Sequence, residues 1–144
     1  DDHVSTEFPT IRHGVDLVSV ARFREALERT EGFEERVFTE TERTYCRRQA
    51  DPAIHFAARF AAKEALLKAL GTGLAGIGLH TGLHEVEVVH DARGMPCLVL
   101  TGRAAKVAAE MGASEPSLSM THTKDNAVAS VVLLAPPADR EGSA

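Results

Sequence analysis

The residues from His55 to Gly73, HFAARFAAKEALLKALGTG, constrain this chain more than any other stretch, because they spell a strong helix whose four charges have no solvated face to occupy. At about 100° per residue, Phe56, Phe60, Leu67 and Leu70 form one bulky apolar stripe, while Ala58, Ala61, Ala62, Ala65 and Ala69 cover most of the opposite side. A helix of this kind is packed on both sides rather than laid on a surface. Arg59 and Lys63 fall on one edge of the bulky stripe, and Glu64 and Lys68 on the other, one turn apart. Charges in such places are paired, hold an ion or shift their pKa. Two explanations stand side by side: internal pairing, Glu64 with Lys68 or Arg59 with Glu64, or an anionic ligand drawn by the excess of positive charge. Gly71 is expected to end the helix in the left-handed conformation.

A chain of 144 residues, 44% hydrophobic, is long enough for one domain with a real core and too short for two ordinary ones. Its net charge of −5 argues against a general nucleic-acid binder. Cys46 and Cys97 have no paired spacing and read as free thiols of a reducing compartment. With no long apolar run, no membrane partner is expected and the cytoplasm is the default location. The chain opens at Asp1 rather than Met, as a trimmed or excised piece would.

The chain order predicts an α+β domain, residues 10–135, with an antiparallel sheet and the long central helix. Residues 1–9 read as a disordered arm and 136–144 as a flexible tail. From Thr10 a short strand carries Gly14 and Asp16 and leads into a helix from about Val20 to Arg29. Asp16 is either a cap for that helix or a metal-binding carboxylate. Arg22 and Arg24 lie on the helix's outer surface. Thr39 and Glu42 spell a capping box for a helix running to about Ala50, and Pro52 suits the first turn of the central helix. Leu74 to Gly82 reads as a mobile loop. Leu83–Val89 and Met95–Leu100 are expected to form a β-hairpin, Gly102–Met111 a helix, and Ser117–Thr121 and Ala127–Leu134 two more strands. His80, His84 and His90 share no helical face and are read as surface histidines, whereas His122 ends an apolar strand beside a polar, basic turn suited to an anion.

Gly14-Val15-Asp16-Leu17-Val18, Phe38-Thr39-Glu40-Thr41-Glu42, the run Arg59 to Ala65 with Lys68-Ala69 and Gly71-Thr72-Gly73, then Gly94-Met95-Pro96 and Thr121-His122-Thr123, occur together in one order. In that combination the chain resembles the 4′-phosphopantetheinyl transferases, most closely the small holo-acyl-carrier-protein synthase type, from about Ile11 to Leu134. Arg12 stands where the family usually has glycine, and Asn126 where an aromatic is common. The resemblance implies transfer of the phosphopantetheine arm of coenzyme A to a serine of an acyl carrier protein, with Mg²⁺ as cofactor. Asp16 and Glu64 match the metal carboxylates, and Asp16, Glu64 and Lys68 the catalytic group, with Glu64 the better candidate for the base. Arg59, Lys63, Lys68 and His122 match positions around the coenzyme phosphates, bordered by Gly71 and Thr121, and Met95-Pro96 matches the turn that meets the adenine. Arg22, with Arg24 beside it, matches the surface that meets the acidic carrier, and the resemblance implies a homotrimer with its sites between neighbours. A silent carrier-binding domain and a Mg²⁺-dependent coenzyme A pyrophosphate hydrolase are the alternatives.

Overall fold

Strand β1 (Thr10–Ser19) opens the fold and runs into helix α1 (Val20–Arg29) without a linker. The structure, a computed structural model, describes residues 8–71 and 82–137. The expected arm and tail therefore lie almost wholly outside the described residues, as does the expected loop apart from Gly82. Ser19 caps α1 by accepting from the amide of Arg22 at 3.3 Å, which leaves Asp16, three residues earlier on β1, out of the capping role.

After α1 come α2 (Phe33–Val37), α3 (Glu40–Arg47) and the central α4 (Pro52–Leu70). Helix α2 has only five residues, too few for its periodicity to show. The capping box at Thr39 and Glu42 is formed, but α3 ends at Arg47, short of the expected Ala50. Pro52 occupies the first turn of α4, and Gly71 ends it at φ 77°. Beyond it a 3-10 turn (Leu83–Glu85) replaces the first part of the expected strand, because the Glu85 carboxylate turns to accept from the amide of Arg103 at 3.1 Å. Strands β2 (Val86–His90) and β3 (Pro96–Leu100), helix α5 (Gly102–Met111) and strands β4 (Ser117–His122) and β5 (Asn126–Ala135) complete the chain.

Strands β1, β5 and β4 form an antiparallel sheet in that order, and β2 and β3 a separate hairpin. The alanine side of α4 lies on the larger sheet: a methyl group at Gly14 would meet the carbonyl oxygen of Ala65 at 1.9 Å, so helix and strand approach backbone to backbone. The bulky side faces α1 to α3, with Phe56 packed on Phe38 at 4.8 Å and Phe60 on Phe23 at 5.1 Å between ring centres. Arg12, in place of the family's glycine, sends its guanidinium over the end of α4, where Nε donates to the carbonyl of Ala69 at 2.7 Å and Nη2 to that of Leu70 at 3.1 Å. It satisfies carbonyls that a helix end leaves open and places a cation at the negative end of the dipole.

The outer face of the β1-β5-β4 sheet is uncovered among the described residues. Ile11 and Leu17 are 70% and 65% exposed, and Val15, Val132 and Leu134 also face outward. The register sets Ile11 opposite Leu134 and Leu17 opposite Val128, with the polar pair His13–Ser130, 2.8 Å apart, between the apolar side chains.

Candidate active site

One edge of α4, the near end of β1 and the inner side of α1 enclose a cleft, with Asp16, Ser19, Arg22, Phe23, Phe60 and Glu64 in its wall. Asp16 comes from β1 because alternation turns it toward α4, as it does Gly14. Lys68 joins them from one turn beyond Glu64: its Nζ donates to Oδ1 of Asp16 at 3.0 Å and to the carbonyl of Val15 at 2.9 Å. The cross-element pair is thus Lys68 with Asp16, and neither internal pair expected from the helix forms. Among the described residues Glu64 makes no ion pair. Burial pushes its carboxyl above the usual carboxylate range, the neighbouring Asp16 charge adds to that, and Lys68 opposes it. A half-buried carboxylate destabilised beside a second one is a site whose energy falls when a cation binds. Two hard oxygen donors on an open cleft suit Mg²⁺, which keeps room for water and phosphate oxygens.

The other edge of α4 carries a different cluster. Arg59, 3% exposed, lies with its guanidinium 4.2 Å from the centre of the Tyr45 ring. Its Nη1 donates to the carbonyl of His55 and its Nη2 faces Nε2 of His90, both at 3.5 Å, while its buried Nε has no partner among the described residues. The His55 ring meets that of His122 at 5.6 Å, and Tyr45 meets His90 at 4.6 Å. Burial holds the imidazoles of His55 and His90 below the usual histidine value, and the Arg59 charge adds to the effect at both. Pro96 is the cross-strand partner of His90, which brings the exposed Met95 turn to the margin of this cluster.

Lys63 does not belong to either group. Its side chain is 0% exposed, and Nζ donates to Oε1 of Glu42 at 2.8 Å and to the carbonyls of Leu83 and Val86 at 2.9 and 2.6 Å. All three ammonium hydrogens are used inside the core, so the expected contact with a coenzyme phosphate is corrected to a structural role. Glu42 serves both ends of the pair, since its carboxylate also accepts from the amides of Thr39 and Val88 at 2.9 and 2.7 Å. Arg22 stands at the rim of the cleft, whereas Arg24 is held by Asp51 through two bonds of 2.9 Å. Gly71 sits under Arg12 at the end of α4, and Thr121 is exposed on β4. Sequence reasoning missed Tyr45 and His55, which come from separate elements and carry no shared spacing, and the contact that His90, exposed as expected, makes with Arg59.

Residues 12–132 match the family model described as the 4′-phosphopantetheinyl transferase superfamily. The holo-[acyl-carrier-protein] synthase of Desulforudis audaxviator is 48% identical over 124 residues, covering 85% of this chain and 92% of that protein. That of Chloroflexus aurantiacus is 46% identical over 130 residues, covering 83% and 95%. Among solved structures, the Chronobacterium ammoniagenes ACPS-CoA complex superposes with a TM-score of 0.75 at 33% identity, covering 89% of this chain and 99% of that one. The Helicobacter pylori holo-[acyl-carrier-protein] synthase in complex with coenzyme A gives 0.70 at 27% identity, covering 84% and 98%.

Proposed function

The chain belongs to the 4′-phosphopantetheinyl transferase superfamily, and from that premise we propose that it moves the phosphopantetheine arm of coenzyme A onto a serine hydroxyl of an acyl carrier protein. The serine oxygen bonds to the phosphorus bearing the pantetheine arm, the bridging P–O bond of the pyrophosphate breaks, and adenosine 3′,5′-bisphosphate leaves. The observation that carries this reading is the pairing of Asp16 and Glu64 on one cleft with Lys68 at its side. These two carboxylates would hold Mg²⁺, which would supply positive charge to the pyrophosphate and the attacked phosphorus. Lys68 adds a positive charge at the same place, and its own bond to Asp16 keeps that carboxylate turned inward. Glu64, with its raised pKa, is the candidate to take the serine proton. Arg59 and His122 are the candidates to hold the coenzyme's phosphates, with Thr121 beside His122, and Met95-Pro96 to face its adenine; Gly71, expected among these residues, lies instead at the far end of α4 under Arg12, about 18 Å along the helix from Arg59. The transferase domain is taken as residues 10–135.

Intact-mass spectrometry of an apo carrier protein incubated with the enzyme, coenzyme A and Mg²⁺ tests this directly. Addition of a phosphopantetheine mass supports transfer. Coenzyme A consumed with the carrier unchanged indicates a hydrolase, and no change in either a binding module.

The acidic carrier is met at Arg22, on the rim beside Asp16, while Arg24 holds Asp51 and shapes that rim. Arg22→Glu is expected to raise the carrier KM roughly three- to tenfold at low salt with the coenzyme A KM unchanged, since a rim charge acts mainly on encounter. The effect shrinks at high ionic strength. An unchanged carrier KM at low salt returns Arg22 to an ordinary solvated surface.

The apolar side chains that β1 and β5 leave uncovered among the described residues support a homotrimer, in which three such faces close on one another. Sedimentation equilibrium at three chain masses is the expected result. No helix among the described residues is long and apolar enough to cross a membrane, and both cysteines are free, which fits a cytoplasmic enzyme.

A further inference from the structure

Two cations cross between β1 and the last turn of α4 in opposite directions. From the strand, Arg12 donates through Nε to the carbonyl of Ala69 at 2.7 Å and through Nη2 to that of Leu70 at 3.1 Å. From the helix, Lys68 donates through Nζ to the carbonyl of Val15 at 2.9 Å and to Oδ1 of Asp16 at 3.0 Å. Between them Gly14 lets the two backbones touch, since a methyl group there would meet the carbonyl oxygen of Ala65 at 1.9 Å and the amide nitrogen of Ala69 at 2.7 Å. Arg12, Gly14 and Asp16 alternate along β1 and so face α4 together. One face of the strand thus presents a tether, a contact point and a site carboxylate within about 13 Å.

The tether matters through what it completes. A helix leaves its last four carbonyls open, here those of Leu67, Lys68, Ala69 and Leu70. The amide of Gly71 serves the first two at 3.0 Å each, and Arg12 serves the other two. Lys68 lies inside that turn with its side chain 53% exposed, so packing does little to fix its long stem. The ammonium stays on Asp16 because the backbone beneath it is held. Both bonds of Arg12 go to main-chain carbonyls, so it acts on the site through the turn and not on the reacting atoms. Glycine, usual in the family at this position, has no side chain to serve those carbonyls, which makes the tether a feature of this chain's own sequence.

We propose that Arg12 is a positioning residue for transfer: by closing the end of α4 it holds Lys68 against Asp16, where the ammonium faces the reacting pyrophosphate. The inference rests on the transferase reading and adds to it a residue that touches no substrate. A guanidinium suits the task because its planar fork serves two carbonyls at once and its charge lies at the negative end of the helix dipole.

Single-turnover transfer, with enzyme in excess and the carrier followed by intact mass, reads rates far below wild type and suits a double-mutant cycle. Arg12→Ala is expected to lower the rate at saturating coenzyme A, carrier and Mg²⁺ about tenfold, within what a small misplacement of a charged group costs. Both KM values stay within about twofold, since no binding contact is lost. Arg12→Lys, which keeps a cationic donor at the helix end, recovers most of the loss. In the Lys68→Met background the same Arg12→Ala change lowers the rate by less than about twofold, because the group it positions is gone. Circular dichroism checks the fold, and should Arg12→Ala not fold, Arg12→Gln takes its place in both backgrounds. A wild-type rate without the guanidinium, a loss carried by either KM, or an equal loss in both backgrounds overturns the proposal while wild-type enzyme still modifies the carrier. No phosphopantetheine mass on the carrier with wild-type enzyme overturns the transferase reading along with it.

Discussion

Asp16→Asn and Glu64→Gln each lower the rate of carrier modification at least tenfold at saturating Mg²⁺, and neither unfolds the protein. Each substitution keeps the side chain's shape and removes one negative charge from a site whose catalysis is electrostatic. A lost ligand or its close support typically costs ten- to a hundredfold. The two variants differ in stability. Glu64 has a folded-state pKa raised above its unfolded value by burial and by Asp16. Its favourable contribution is therefore present below the unfolded pKa and is lost as pH rises through the folded one. At pH 7 in EDTA, Glu64→Gln is expected to melt above wild type. Asp16→Asn loses its ion pair with Lys68 and is expected to melt no higher. Turnover above about a tenth of wild type in either variant contradicts the assignment.

Breaking the buried pair between Lys63 and Glu42 gives the largest expected loss of stability. Lys63→Met leaves the Glu42 carboxylate in the core with only amide donors, and Glu42→Leu leaves an ammonium there facing only carbonyls. Either single change is expected to cost about 3–5 kcal/mol, because a lone buried charge keeps its desolvation penalty without compensation. That is a large share of the roughly 5–15 kcal/mol by which a domain of this kind is folded. The double variant is expected to cost clearly less than the two single costs added together, since it removes both charges at once. Urea denaturation measures all three. A single-variant loss under about 1 kcal/mol places Lys63 outside the core and restores it as a candidate phosphate ligand.

Lys63 also shows where reading the sequence stops. The periodicity of α4 located its packed faces, and Gly71, Pro52 and the Thr39–Glu42 box marked element ends through local chemistry that needs no partner. What lies opposite a helical position is set by segments distant in sequence. Arg59 and Lys63 share an edge, yet one meets imidazoles and an aromatic ring while the other meets Glu42, which lies 21 residues earlier. Asp16 was visible as an odd residue in a strand, but only the family resemblance linked it to Glu64. Arg12 was legible as a departure and not as a helix cap, because the end of α4 lies 57 residues away. The alternation of Leu83 to Val89 imitates a strand, and nothing local revealed that Glu85 turns to meet the first amides of α5. The apolar side chains of β1 and β5 likewise gave no sign that, among the described residues, one face of their sheet is left uncovered.

The cation shared by Asp16 and Glu64 is the point on which the assignment turns, and calorimetric titration of Mg²⁺ or Mn²⁺ into the enzyme with coenzyme A measures it directly. One ion per chain is expected. Its affinity should fall at least tenfold in Asp16→Asn and in Glu64→Gln. In wild type it should weaken as pH falls through the raised pKa of Glu64, where the proton competes with the metal. Metal affinity unchanged in both variants, with transfer still proceeding, would contradict a metal site at these carboxylates.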